Sequence, residues 1–344
     1  MPRALFGDLP TPVHPMERLG EALHHDALWV KRDDASAHPY GGNKVRKLEF
    51  LLGLAVARGA TRVATVGALG SNHVLATAVF ARQVGLGCAA ISFPRPMNAG
   101  VVRTVLATAS QGCRLIHLPT PALVPLAVSA VRTAAALRRE RLCWITGGGS
   151  SALGSVGYVL AALELAEQVR AGALPEPAWL YVALGSGGTA AGLLAGLQIA
   201  GLRTRIRAVR VVPGLIIGPR RTAALANAAL RLLAAAGWDH GARPLVAGDL
   251  EVVGDQLGGG YGHSTRASAA AVRLITETEG IPCEETYTGK TLAALVTDLG
   301  SGRVAPGAPV LFWSTYSGTS VEALVEPGAH RELPASVRRS LPWV

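Results

Sequence analysis

Short apolar segments alternate with longer helical stretches along almost the whole chain, and this alternation restricts the fold more than any other feature. Residues 27–31, 61–66, 87–92, 113–117, 179–184, 205–212 and 310–313 read as strands. Residues 48–58, 72–84, 99–111, 125–140, 155–171, 223–236, 265–279 and 291–299 read as helices, with another from the 185–188 glycine loop to about residue 200. Strand and helix in turn predict parallel sheets covered by helices, an α/β fold. The 344 residues suffice for two domains or one large α/β unit, and 49% hydrophobic against 16% charged residues can fill a large core. The 41 glycines suggest tight turns and close helix packing. No repeat of fixed period or low-complexity linker marks a domain boundary.

The balance of charge is basic, +10 from 33 Lys+Arg and 23 Asp+Glu. No basic tract is interleaved with aromatic residues, which are 5% of the chain, so no nucleic-acid partner is expected. Attraction of anionic substrates is compatible with this charge. Cys88, Cys113, Cys143 and Cys283 are widely spaced and suggest neither a metal site nor a disulfide framework. The first ten residues lack the apolar run of a signal peptide, and stretches 121–138 and 222–236 contain Arg or Pro. The expectation is a cytoplasmic protein with free thiols and no membrane partner.

Three junctions between elements carry candidate chemistry. Residues 180–184 run into Gly185-Ser186-Gly187-Gly188-Thr189 and a helix. Glycines let backbone amides converge there, and the helix start adds positive potential, which makes either a phosphate cradle or a plain turn. The following strand has no acidic residue for a ribose, and no Gly-Lys-Ser/Thr ending is present, so a nucleotide loop is disfavoured. Lys44, in Gly41-Gly42-Asn43-Lys44-Val45-Arg46-Lys47-Leu48, sits between a tight turn and an amphipathic helix. Such an amine is suited to Schiff-base chemistry. In Gly67-Ala68-Leu69-Gly70-Ser71-Asn72-His73, amides at a helix start could hold a carboxylate, or Ser71 or Asn72 could simply cap the helix.

These segments, in this order, resemble the fold-type II pyridoxal-phosphate (PLP) enzymes, in the branch of D-cysteine desulfhydrase and 1-aminocyclopropane-1-carboxylate (ACC) deaminase. The resemblance runs from Thr11-Pro12 to Gly318. It implies a tryptophan synthase β-like fold, with residues 1–47 and 161–344 forming a large domain, 48–160 a small one, and PLP between them. It also implies a homodimer acting on a small amino acid. Lys44 would carry the cofactor and act as base at Cα. Gly185, Ser186, Gly187, Gly188 and Thr189 would hold its phosphate, and Asn72 its O3′. Ser71 would face the substrate, with His73 beside it. Thr146–Gly154 resembles the family's glycine-rich crossing between domains.

Tyr261 and Tyr287 match pocket tyrosines able to orient substrate or move a proton. Thr288 and Thr315 match the desulfhydrase branch; the deaminases carry glutamate and leucine there. A hydroxyl leaves the ring nitrogen effectively neutral, which suits β-elimination of a good leaving group better than opening a cyclopropane. The resemblance thus implies β-elimination from D-cysteine or a related β-substituted amino acid, with ACC deamination, or biosynthetic β-replacement or a noncanonical reaction on an unusual amino acid, as alternatives. The chain departs from the family at Ala68, Gly70, Leu75 and Ala76. It departs again at Glu284-Glu285-Thr286 and at Tyr316-Ser317, where Tyr316 either packs or contacts substrate.

Overall fold

A computed structural model describes residues 1–215 and 217–341 of the chain. The principal elements, in order, are β1 (Val13–Pro15), α1 (Glu17–Leu23), β2 (Leu28–Arg32), α2 (Lys44–Ala57), β3 (Arg62–Ala68), α3 (Asn72–Gln83), β4 (Gly87–Phe93), α4 (Ala99–Ser110), β5 (Arg114–His117) and α5 (Val124–Leu137). They continue with β6 (Leu142–Trp144), α6 (Ala152–Arg170), β7 (Trp179–Leu184), α7 (Gly188–Ala200), β8 (Arg205–Arg210), α8 (Pro219–Ala235), β9 (Glu251–Val253), α9 (Arg266–Glu279), α10 (Thr288–Gly300) and β10 (Val310–Ser314). The alternation read from sequence is therefore an α/β fold. Several helices start earlier than the apolar periodicity suggests, α2 and α6 among them. Pro219, with its fixed φ, opens α8 ahead of residue 223, and Thr288 opens α10 ahead of residue 291.

The chain divides into two compact units. One comprises Met1–Phe6, Leu48–Gly149 and Thr319–Val344; the other comprises Gly7–Lys47 and Ser150–Gly318. This division differs from the expected 48–160 limits at three places. Helix α6 is continuous from Ala152 to Arg170, so the boundary falls in the glycine run before it and not at residue 160. Both chain ends group with the smaller unit.

The smaller unit is built on a four-stranded parallel sheet in the order β5-β4-β3-β6. Its strand β4 is buried over Cys88–Ile91, as expected of a central strand with covered faces. The larger unit holds a six-stranded sheet, β1-β2-β10-β7-β8-β9, parallel except for β1 against β2. Its core joins Leu28, Val30, Tyr181, Val310 and Phe312 of the sheet to Ile275, Leu292 and Leu295 of α9 and α10. Glycines let α6 and α7 approach closely: a Cβ on Gly192 would lie 2.3 Å from the Ser155 carbonyl oxygen. Helix α6 is also long and apolar enough to cross a bilayer, but 56% of its apolar window is buried inside the protein.

Candidate active site

In the larger unit, Lys44 is the first residue of α2, four residues ahead of the helix start read from sequence. The turn before it is tightly held. The Gly42 amide donates to the Asp33 carbonyl at 2.9 Å and the Asn43 amide to the Thr315 carbonyl at 3.1 Å. Gly42 has φ +88°, and a Cβ there would lie 3.0 Å from the Thr315 carbonyl oxygen, so the turn requires glycine. Ser317 accepts the Gly41 amide at 3.1 Å, which gives this departure from the family a local structural role.

Beneath the turn lies a buried charge network. Arg46 donates to both Asp33 oxygens (Nε to Oδ1 at 3.0 Å and to Oδ2 at 3.2 Å) and to both Glu164 oxygens (2.8 and 2.9 Å). Tyr158 Oη (2.5 Å), Trp313 Nε1 (2.7 Å) and Thr11 Oγ1 (3.0 Å) also donate to Asp33. Lys31 Nζ donates to Glu164 and to Gln168. Two cations thus face two carboxylates and tie β2, α2, α6 and β10 together under Lys44. Sequence reading missed this network because its members are far apart in the chain.

Lys44 Nζ donates to Asn43 Oδ1 at 2.7 Å, and Asn43 Nδ2 donates to Thr189 Oγ1 at 3.0 Å. The lysine is therefore coupled to the Gly185–Thr189 loop. Burial pulls its amine down to about 8, opposed in part by the charge of Glu284. Part of the population is then neutral near physiological pH.

The loop has the form of an anion cradle. Gly187, φ +91°, caps α7 in the left-handed region, and the first-turn amides of a helix have no carbonyl partner within it. The Gly188 amide donates to Ser150 Oγ at 3.0 Å, and Ser150 and Ser186 hydroxyls meet at 2.7 Å. A Cβ on Gly188 would lie 2.7 Å from Ser150 Oγ and 3.1 Å from Lys47 Nζ, filling the space between loop and amine. Sequence reading did not single out Lys47, and took Ser150 only as part of the Thr146–Gly154 segment. Lys47 is 2% exposed, and burial together with Lys44 pushes its amine well below the usual range. A phosphate dianion would gain from both the cation and the helix start. The residues present therefore fit a phosphorylated cofactor held through Lys44, with its phosphate on residues 185–189 and Lys47.

Around the cradle, Tyr287 Oη donates to Tyr261 Oη at 2.8 Å, with ring centroids 5.9 Å apart, so the two predicted tyrosines form one hydroxyl pair. Gly185 faces Tyr287: a Cβ there would lie 3.1 Å from Cε1. Thr288 is buried at the start of α10, and its Oγ1 accepts from the Glu284 amide at 2.9 Å and donates to the Glu284 carbonyl at 3.2 Å. The Glu284 carboxylate accepts the amides of Thr286, Tyr287 and Thr288 at 2.7–3.0 Å, so this departure is a helix cap. Tyr316 is half-buried, and Thr315 is buried at the end of β10. The Tyr40 hydroxyl, which sequence reading missed, is buried and finds no hydrogen-bond partner among the described residues. An orphaned buried hydroxyl, here near Tyr316 and Glu284, is costly unless a ligand meets it.

In the smaller unit, Ser71 is the N-cap residue of α3 but its side chain makes no capping hydrogen bond. Its hydroxyl lies over Gly67, 2.7 Å from where a Cβ would stand. Asn72 is the first residue of the helix, so the α3 start presents amides, Ser71 and Asn72 together. His73 is buried, with Nε2 2.9 Å from Thr65 Oγ1, and braces the loop from within.

Comparison with known proteins agrees with this geometry. The pyridoxal-phosphate dependent enzyme family matches residues 5–315. D-cysteine desulfhydrase of Klebsiella pneumoniae (strain 342) is 34% identical over 327 residues, covering 91% of this chain and 93% of the relative. Nocardicin C-9′ epimerase of Nocardia uniformis subsp. tsuyamanensis is 35% identical over 327 residues, covering 92% and 93%. Among solved structures, an ACC deaminase homologue is similar with a TM-score of 0.78 at 29% identity, covering 94% of this chain and 96% of that one. A PLP-dependent aspartate racemase, TM-score 0.60 at 15% identity, shares the fold. Among the described residues no group of His, Cys, Asp or Glu is arranged to hold a metal. The chain belongs to the pyridoxal-phosphate-dependent enzymes, in their fold type II, with PLP as cofactor.

Proposed function

We propose that this protein is a carbon–sulfur lyase that eliminates the β-substituent of a small amino acid, D-cysteine or a close analogue such as L-cysteate. The products are a 2-oxo acid, ammonia and the leaving group. The observation that carries this reading is the pair Thr288 and Thr315: neither position offers the carboxylate that a deaminase places near the ring nitrogen. The 34% identity to a D-cysteine desulfhydrase over 91% of the chain supports the same branch.

Bound PLP supplies an electron sink for the pair left at Cα when its proton departs. The neutral Lys44 amine, which burial favours, takes that proton as general base. Loss of the β-substituent with its electron pair then balances the step; the released enamine gains a proton at Cβ to become an imine, and hydrolysis of its C=N bond gives the 2-oxo acid and ammonia. The Tyr261–Tyr287 hydroxyl pair orients the substrate and can pass a proton to the departing group. Ser71 and the α3 amides take the substrate carboxylate, Asn72 bonds the cofactor O3′, and Tyr316 contacts the side chain. Support for these roles is the half-buried start of α3 and the uncapped Ser71 hydroxyl. We extend the proposal to a homodimer in the cytoplasm, testable by light scattering and fractionation.

A second reading is proton return to the other face of Cα. It is favoured by the relative named as an epimerase, 35% identical over 92% of this chain. One experiment separates the readings. The holoenzyme is incubated in D2O with D-cysteine, L-cysteine, β-chloro-D-alanine, L-cysteate and ACC, with Lys44→Ala as control. Pyruvate from a β-substituted substrate, lost in the variant, supports the lyase. 2-Oxobutyrate from ACC assigns the deaminase branch. Deuterium at Cα with inversion and no 2-oxo acid supports the second reading.

A further inference from the structure

Helix α5 lies beside the four-stranded sheet of the smaller unit, and the space between them is not filled. A cavity of about 460 Å³ opens there, walled by Ala89 and Ile116 of the sheet and by Leu126, Ala127, Ala130 and Val131 of α5. The cause is local. The inward face of α5 uses alanine where a helix on a sheet ordinarily projects larger side chains, and Ala89 opposes it. Only Ala135 of this helix is fully buried. Close-packed interiors do not keep voids of this size, whereas ligand pockets commonly do.

The rim is charged. Arg62, Arg114, Arg138 and Glu140 border the opening. Glu140 is held by Arg62 at 3.0 Å. The side chains of Arg114 and Arg138 are exposed and have no hydrogen-bond or ion-pair partner among the described residues, leaving the rim with two uncompensated positive charges. Leu126, 70% exposed, continues the apolar wall outward to the mouth. A fully apolar occupant would leave the arginines without use, and a cation would be repelled. An aliphatic chain with an anionic head satisfies both parts, because guanidinium groups pair with carboxylate in bidentate fashion.

We propose that the smaller unit carries a binding site for a medium-chain aliphatic carboxylate, its chain lying between α5 and the sheet and its head on Arg114 and Arg138. None of these residues has a part in the reaction proposed above, so the inference stands apart from it.

The test is isothermal titration of the holoenzyme with decanoate below its micelle concentration. Saturable binding of one decanoate per chain is expected. Affinity should rise by up to about fourfold per added methylene from hexanoate to decanoate. Decanol and decyltrimethylammonium should each bind at least tenfold more weakly than decanoate. Ala130→Phe or Ala127→Leu, which fill the cavity, should abolish binding while thermal unfolding and turnover stay unchanged. Arg114→Gln with Arg138→Gln should weaken decanoate at least tenfold and leave decanol unchanged. Absence of saturable decanoate binding would overturn the proposal, as would equal affinity for the cationic probe or full binding by both cavity-filling variants. Two other occupants are distinguishable and would also overturn it. One is a second copy of the chain, shown by an oligomer that Ala130→Arg dissociates while decanoate never binds. The other is a bilayer, shown by binding to phosphatidylglycerol vesicles without binding of monomeric decanoate.

Discussion

Arg46→Met would test what holds the turn before Lys44 in place. The substitution keeps most of the side chain's apolar stem and removes its charge and donors. Arg46 is 2% exposed at the side chain and Asp33 0%, so the pair is fully desolvated. Without Arg46, Asp33 keeps Tyr158, Trp313 and Thr11 as neutral donors but loses its adjacent cation. Glu164 keeps Lys31. One uncompensated negative charge is therefore left inside the larger unit, and breaking a buried pair in this way costs about 3–5 kcal/mol. Adding Asp33→Asn removes the stranded charge, so the double variant should be at least about 2 kcal/mol more stable than the sum of the singles predicts. Equilibrium urea unfolding of the three variants and the parent is the assay. The penalty for Arg46→Met should also shrink as pH falls, because a stranded buried carboxylate takes up a proton readily. A cost below about 1 kcal/mol, or strict additivity in the cycle, would refute the reasoning.

Three further outcomes follow from the same geometry. Gly188→Ala places a methyl group 2.7 Å from Ser150 Oγ and should lower cofactor affinity at least tenfold, measured by equilibrium dialysis of PLP, with little change in unfolding midpoint. Glu284→Gln removes a charge that holds the Lys44 amine up, so competitive labelling of the cofactor-free protein should show Lys44 titrating below its parent midpoint of about 8. Burial opposes ionisation of Asp33 and Glu164, but Arg46 outweighs it, with Lys31 assisting at Glu164, so both carboxyls are held below the usual range. Groups depressed on folding stabilise fully above their unfolded values, about 3.9 and 4.3, and that contribution is lost as pH falls through the lower folded values. Thermal unfolding should therefore be level with respect to these groups between pH 7 and 5 and fall steeply below about pH 4.

Much of this organisation is legible in the chain because local signals and tertiary structure agree. Trp179–Leu184 is a covered parallel strand, an apolar run ended by glycines, and it reads as one. The Gly185–Thr189 cradle follows from that strand and the helix behind it. The first turn of α2 was harder. Apolar periodicity begins at Leu48, while the helix itself begins at Lys44, with Arg46 and Lys47 buried. The carboxylate partners of Arg46 are 13 and 118 residues away, and no local pattern announces them. Strands β1, β6 and β9, three residues each, are too short to show alternation. Glu284 stood out as a departure, yet its role as the cap of α10 emerges only from the amides of Thr286, Tyr287 and Thr288 converging on its carboxylate.

The central claim is that Lys44, and not the neighbouring Lys47, carries the cofactor while Lys47 serves its phosphate. Both amines are lowered by burial and stand three residues apart on one helix, so the distinction is chemical and direct. Borohydride reduction of the holoenzyme followed by peptide mass spectrometry decides it. The account predicts a phosphopyridoxyl group on Lys44 alone, with Lys47→Ala still modified at Lys44 but at lower PLP occupancy. A phosphopyridoxyl group on Lys47, or on any other lysine while Lys44 stays unmodified, would contradict it.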